Sequence, residues 1–481
     1  MSGLQIALVG FGAMLGLIAL RLPIGLSMLL VGGIGYSALN GLGPFLAYMK
    51  TNTYHQFANY TLSVIPLFIL MGALAERAGI ATALFKAAER GFGRARGGLA
   101  MAVIGACTAF GAICGSSVAT TATFGRAALP ELKRYRYDQG FATGTIAVGG
   151  TLGILIPPSV ILVVYAITTE QNIAKLFQAA LIPGLLAALF YCVVISIRVR
   201  RNPDLAPLPV ERDEIPPASR PLWIKGLALI TLIVVMAMAF AGKLSATLTI
   251  IGVLLALVMA VADIAILPAL AIALIVVGGI YGGVFTPTEG AAVGTIAMLV
   301  AGLIQRSLSF EDIREALRQT AVTSGMIFII LLGAEVFGAF LALSRLPMLA
   351  AEWVGGLGLS PYFVLIAMLA FYILLGAVMD ELAMILLTLP VFFPVIQGLD
   401  FGMFPDDVAL WFGILVLIVV GIGLTAPPIG LNVFVIHQIA KDVPLFSIYR
   451  GVLPFILADL VRLALVVAFP GLALWLVRVL A

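Results

Sequence analysis

The chain has 481 residues, 62% of them hydrophobic and only 10% charged, with a formal net charge of +4. A soluble protein carries about 25% charged residues, so this surface faces something other than water. Apolar runs follow one another from Leu4 to Leu480, which excludes a single signal peptide or anchor and predicts an all-α polytopic membrane protein.

Lys and Arg gather in short connections, the pattern of cytoplasmic loops beside a lipid bilayer and not of a nucleic-acid site. Cys107, Cys114 and Cys192 lie in apolar segments without metal-ligand spacing and read as packing residues. Glycine at 51 and proline at 25 suit membrane helices that pack closely and are interrupted.

In chain order, spans are predicted at Leu4 to Leu20 and Pro23 to Leu46, then a polar loop at Lys50 to Gln56. A third span, Leu62 to Phe85, ends in Lys86, Arg90, Arg94 and Arg96, which places that end in the cytoplasm and the N-terminus outside. Leu99 to Leu129 has basic residues on both flanks and a weak centre from Gly111 to Thr121, so it is expected to enter and return as a hairpin with its tip at Gly115-Ser116-Ser117. Phe141 to Ile167 carries three glycines between Gly149 and Gly153 and then Pro157-Pro158 inside an apolar run. A continuous helix cannot cross it, and in lipid such a break is tolerated only where it is buried or lines a cavity. A span from Leu176 to Ile197 follows, then a Pro-rich cytoplasmic linker at 202–220 and an inserted pair of spans at 222–262.

The early pattern then restarts with opposite orientation. The stretch ending Phe285 to Gly290 resembles Gly12 to Gly25, with Pro23 and Pro287 264 positions apart, as inverted repeats would require. Gln305 to Gln319 is predicted to be an amphipathic interfacial helix ahead of a span at Val322 to Leu343. A second hairpin is expected over Tyr362 to Ile396, with its break at Gly376 to Glu381. A second broken helix follows over Val408 to His437 with Pro427-Pro428, 270 positions after the first Pro-Pro pair, and a last crossing over Leu453 to Val477.

Paired broken helices point to a central transport site. Non-helical turns free carbonyl oxygens, and Ser, Thr, Asn and Asp add side-chain oxygens on short stems. This predicts two cation sites flanking an anion pocket, with the first tip facing the first break and the second tip the second break. Ser116, Ser117, Thr120 and Thr121 also have the plainer reading of hydroxyls bonded to carbonyls in a packed helix. Asn432, an amide in an apolar run, needs a partner. Asp380 and Glu381 are costly at membrane depth and mark an ion or proton pathway, with Asp380 preferred. Glu289 is expected to cap a helix with Thr286 or Thr288, Glu335 is a buried-charge candidate, and His437 suits a helix C-terminus. Trp411, Tyr362 and Tyr449 are read as interfacial anchors. No nucleotide loop or nucleophile elbow stands in a credible context, so neither ATP-driven transport nor an enzyme is expected.

Leu62 to Gly72, Gly115-Ser116-Ser117, Gly153 to Ser159, Phe285 to Gly290 and Thr425 to Asn432 together resemble the large membrane subunit of tripartite ATP-independent periplasmic (TRAP) transporters, the DctM-like family, over nearly the whole chain. The resemblance implies sodium-driven uptake of an organic anion, such as a C4-dicarboxylate, a sugar acid or another carboxylate, across a bacterial or archaeal inner membrane. It implies two further components: a small four-helix membrane subunit (DctQ-like) and a periplasmic substrate-binding protein. It implies an elevator-type fold, with residues 86–175 and 346–445 as the moving parts and 1–85, 176–262, 263–345 and 446–481 as scaffold. Sodium would be held by Ser116, Ser117 and carbonyls at Gly149, Gly153 and Pro157 in one site, and by groups at Gly376, Asp380, Thr425 and Pro428 in the other. Substrate oxygens would meet the tips near Thr120, Ser159 and Asn432. A binding-protein-independent dicarboxylate or citrate-type symporter, an ion channel and a membrane enzyme are the competing readings.

Overall fold

A computed structural model describes residues 3–92, 95–207 and 267–480. Most of the linker expected at 202–220 and the whole pair expected at 222–262 therefore lie outside the described residues. Among the described residues the chain forms twenty α-helices, two short 3-10 turns and no strand. Six of the helical stretches are long and apolar enough to cross a bilayer, or seven if a pair bent by 43° counts as one span.

The opening helices are α1 (Gly3–Ala19), α2 (Ile24–Asn40), α3 (Leu42–Phe57) and α4 (Val64–Arg77). The expected loop at Lys50 to Gln56 is instead the second half of α3. Polar residues do not stop a helix when no Gly or Pro follows, and Asn52 on it donates to Glu335 at 2.6 Å. The expected third span ends early at Arg77: Gly79, at φ +73, turns the chain, and α5 (Ile80–Phe92) runs on as a separate amphipathic helix.

Next come α6 (Gly98–Cys114) and α7 (Ser117–Arg134), packed on each other with Gly115 and Ser116 between them. Then follow α8 (Gln139–Leu155), α9 (Val160–Thr168) and α10 (Ile173–Arg201). Beyond the undescribed stretch, α11 (Leu267–Tyr281) precedes α12 (Pro287–Ile304), which opens with the expected capping box between Thr286 and Glu289.

The interfacial helix and span expected over residues 305–343 are one 34-residue helix, α13 (Phe310–Leu343). No proline interrupts it, and its amphipathic first turns lean on α4, where Arg77 lies 3.8 Å from Asp312 and 3.9 Å from Glu315. A short α14 (Leu346–Gly356) leads to α15 (Pro361–Gly376) and α16 (Glu381–Gln397), then to α17 (Pro405–Gly423) and α18 (Leu431–Ile439). The last crossing begins earlier than expected and is divided: α19 (Leu445–Ala468) stops before Pro470, and α20 (Gly471–Leu480) follows.

Two helices form the centre. Every residue from Gly140 to Leu155 on α8 and from Val408 to Gly423 on α17 is buried. Trp411 belongs to this core and not to an interface; it is fully buried and donates to Val466 O at 2.9 Å. The helices that run into the two Pro-Pro breaks are thus the most enclosed among the described residues.

Candidate ion and substrate site

Each tip is made by local chemistry. Gly115 takes φ +63, a left-handed conformation that ends α6, and Ser116 then caps α7 by accepting from Ala119 N. Asp380 caps α16 in the same way, accepting from Ala383 N at 3.2 Å. Each break is made by missing donors. Pro157 and Pro158 cannot offer the N–H groups that would close on Gly153 O and Ile154 O in a continuous helix. Pro427 and Pro428 interrupt the second helix likewise, and Gly430 restarts the chain at φ +58. Both Pro-Pro bonds are cis.

The first tip lies directly against the first break. A Cβ on Gly153 would sit 2.5 Å from Thr120 Oγ1 and 2.6 Å from Ser116 O, and one on Gly150 would collide with Thr121 Oγ1. Gly149 faces Cys107 Sγ of α6. Thr120 donates to Ser116 O at 2.7 Å, so its proton is spent inside its own helix. Ser159 is fully buried at the start of α9, and its hydroxyl has no partner.

The second tip lies against the second break. A Cβ on Gly423 would sit 2.7 Å from the Gly376 backbone, and the N–H groups of Ile429 and Gly430 both reach Ala377 O, at 3.2 and 3.3 Å. Thr425 is buried and donates to Ile422 O at 3.0 Å. The Pro428 carbonyl accepts from the Tyr449 hydroxyl at 2.9 Å, which engages one of its two lone pairs. Tyr449 also reaches Ile429 O at 2.6 Å, so it ties down this break.

Of the two carboxylates at the second tip, Asp380 is half-buried and occupied as a cap. Glu381 is 8% exposed, and one of its oxygens has no partner. Glu335 is paired with Asn52 of α3, and His437 Nδ1 meets Val443 O at 3.1 Å, a tie between α18 and the turn after it.

Asn432 joins the two halves. It lies on α18, after the second break, yet its amide donates to Ser117 Oγ at 2.7 Å and to Ala147 O at 3.1 Å, groups of the first tip and first broken helix. Its own Oδ1 is buried without a partner. The oxygens gathered here are hydroxyl, amide and carbonyl, the donor types that suit an alkali cation. The breaks differ in exposure: Pro157, Pro158 and Ser159 are buried, whereas Pro427, Pro428 and Ile429 are exposed.

Sequence reasoning missed one polar cluster. Asp459 and Arg462 of α19 form an ion pair of 2.9 Å at 2% and 0% exposure, and the Tyr191 hydroxyl of α10 donates to Asp459 at 2.7 Å. The available signal was two opposite charges three positions apart inside an apolar run.

A multi-pass all-helical protein, with a hairpin and an interrupted helix in each half meeting at its centre, has the architecture of a membrane transport protein. Residues 11–472 match the family described as tripartite ATP-independent periplasmic transporter, DctM component, and the chain belongs to that family. It is therefore the large permease component of a transporter and not an enzyme, seated as a multi-pass protein in the bacterial inner membrane. It is 34% identical over 419 residues, 86% of both chains, to the C4-dicarboxylate TRAP transporter large permease protein DctM of Pseudomonas aeruginosa. It is 28% identical over 473 residues, 96% of both chains, to the sialic acid TRAP transporter large permease protein SiaM of Vibrio cholerae. The fold is similar to the crystal structure of the Alcanivorax borkumensis YdaH transporter, at TM-score 0.60 and 14% identity, with 90% of this chain and 89% of that one covered.

Proposed function

We propose that this chain carries a carboxylate-bearing organic anion into the cell together with sodium. A periplasmic binding protein delivers the anion, and a small membrane subunit completes the complex. The two halves act as inverted repeats, and the hairpins and broken helices move as an elevator against the remaining helices. The relatives named for C4-dicarboxylates and sialic acid both point to carboxylates. Sodium is held between Ser116, Ser117 and the carbonyls from Gly149 to Pro157 on one side, and around Gly376, Thr425 and the second tip on the other. Anion oxygens meet the helix N-termini that converge near Thr120, Ser159 and Asn432, where backbone N–H groups and the helix dipole favour negative charge.

The observation that carries this reading is Asn432. A side chain from the second break that bonds the tip and broken helix of the first binds both halves into one polar centre. Cation charge placed beside an entering carboxylate offsets the cost of bringing either into a low-dielectric site, which makes their binding interdependent.

The test is uptake of labelled C4-dicarboxylates and sugar acids into proteoliposomes under an imposed sodium gradient, with each component omitted in turn. Uptake that requires inward sodium and all three proteins supports the proposal. Uptake by the large subunit alone, or uptake indifferent to sodium, overturns it.

A further inference from the structure

The first break is held from behind by a buried polar chain. Thr151, inside the Gly149 to Gly153 stretch, lies 3.1 Å from the Tyr191 hydroxyl of α10. Tyr191 donates to Asp459 of α19 at 2.7 Å, Asp459 is paired with Arg462, and Arg462 donates to Pro183 O of α10 at 3.2 Å. Thr151, Tyr191, Asp459 and Arg462 are at most 2% exposed. The same three helices are packed closely: a Cβ on Gly144 of α8 would sit 2.7 Å from the Gly451 backbone of α19.

Proton accounting gives this chain a direction. Tyr191 has one proton, which it gives to Asp459, so a hydrogen bond across the 3.1 Å contact forms only when Thr151 donates it. Thr151 also has one proton and a second acceptor in reach, Val148 O at 2.7 Å. Val148 O lies outside the Gly149 to Pro157 carbonyls and just before them, so a cation that fixes those carbonyls and turns the Thr151 hydroxyl toward α10 leaves Tyr191 as its acceptor. The sequence Thr151 to Tyr191 to Asp459 then closes on a carboxylate, and each bond polarises the next. Cation binding and closure of the chain thus favour each other, and the coupling is reciprocal. Thr151 also lies beside the second half, because a Cβ on Gly421 would be 3.7 Å from its Cβ.

We propose that Tyr191, Asp459 and Arg462 are positioning residues that set the sodium affinity of the first break through Thr151. This rests on the sodium-coupled reading above. A buried ion pair is weak support for stability by itself and is often replaced by apolar residues at no loss, so its place behind the break is better explained by this role.

The experiment is thermal unfolding of the purified full chain across a sodium titration at constant ionic strength, with potassium or choline as the balancing ion. Ligand binding to the folded state raises Tm with concentration, which yields a sodium midpoint without any substrate. Tyr191→Phe and Thr151→Val are each expected to raise that midpoint about five-fold, the equivalent of one lost hydrogen bond. The double variant is expected to shift it no further than either single one, and Thr151→Ser to restore it. A structural rivet alone would lower Tm equally at all sodium concentrations and leave the midpoint in place. An unchanged midpoint in both single variants, with a clear wild-type response, overturns the inference and leaves the sodium reading standing. A wild-type Tm that ignores sodium overturns both. Asp459→Asn is the more severe variant, and the two single substitutions decide the matter if it fails to fold.

Discussion

At the residue scale, Asn432 shows how one amide in an apolar helix ties a molecule together. Asn432→Leu keeps similar volume but removes both donated bonds, leaving Ser117 Oγ and Ala147 O buried without that donor. The expected cost is about 1–3 kcal/mol of stability, and uptake is expected to fall by about ten-fold or more because the two halves lose their polar contact. Differential scanning fluorimetry and initial uptake rates check the two effects, and uptake at the wild-type rate would remove Asn432 from the site. The adjacent carboxylates separate just as clearly. Asp380→Asn should preserve stability and transport, because asparagine caps a helix as well as aspartate does. Glu381→Gln replaces a buried carboxyl, one oxygen of which has no partner, by an amide, so it is expected to alter the sodium dependence of uptake. The opposite pattern in paired uptake assays would assign the functional role to Asp380.

At the scale of elements, the hairpins and broken helices depend on close approach. Gly153→Ala drives a methyl group against Ser116 O, a backbone atom that cannot turn aside, so the first tip must shift. The expected result is loss of most sodium-dependent uptake with the protein still inserted, read by transport and by size-exclusion profile in detergent. The end of α7 is held to the turn after α18 by Lys133 and Asp442 at 2.7 Å, and the hydrogen bond from Lys133 holds the Asp442 carboxyl below the ordinary range. A depressed folded-state pKa contributes stability above the unfolded value, about 3.9, and that contribution is lost as pH falls through the folded value. The Tm difference between wild type and Lys133→Gln should therefore be present at pH 7 and shrink progressively as pH falls below about 4; a difference that grows in acid would refute the assignment. The breaks and tips were legible in the sequence because Gly and Pro act locally: Pro157-Pro158, Pro427-Pro428 and Gly115 interrupt a helix whatever surrounds them. The extents of α3 and α13 were not, because polar residues continue a helix where Asn52 with Glu335, and Arg77 with Asp312, supply tertiary partners. Nor does sequence order reveal that Asn432 reaches Ser117 across 315 positions, since that depends on how the two halves pack.

At the scale of the whole molecule, the question is which helices move together. The hairpin α15–α16 belongs to the proposed moving part, and α13 to the proposed frame, yet α16 packs directly on α13. A Cβ on Gly338 of α13 would lie 3.9 Å from Pro390 Cγ of α16, close enough for two cysteines there to be bridged by a short bis-methanethiosulfonate cross-linker, which is held at each end by a reducible disulfide. The background must first lose Cys107, Cys114 and Cys192, the three native thiols. If the hairpin slides as an elevator, cross-linking Gly338→Cys to Pro390→Cys will stop uptake, and reduction will restore it. Sodium-dependent thermal stabilisation should survive the cross-link, because an arrested carrier still binds what it cannot release on the other side. Full cross-linking with undiminished uptake would mean that α13 and α16 travel as one body, and the boundary between frame and carrier would have to be drawn elsewhere.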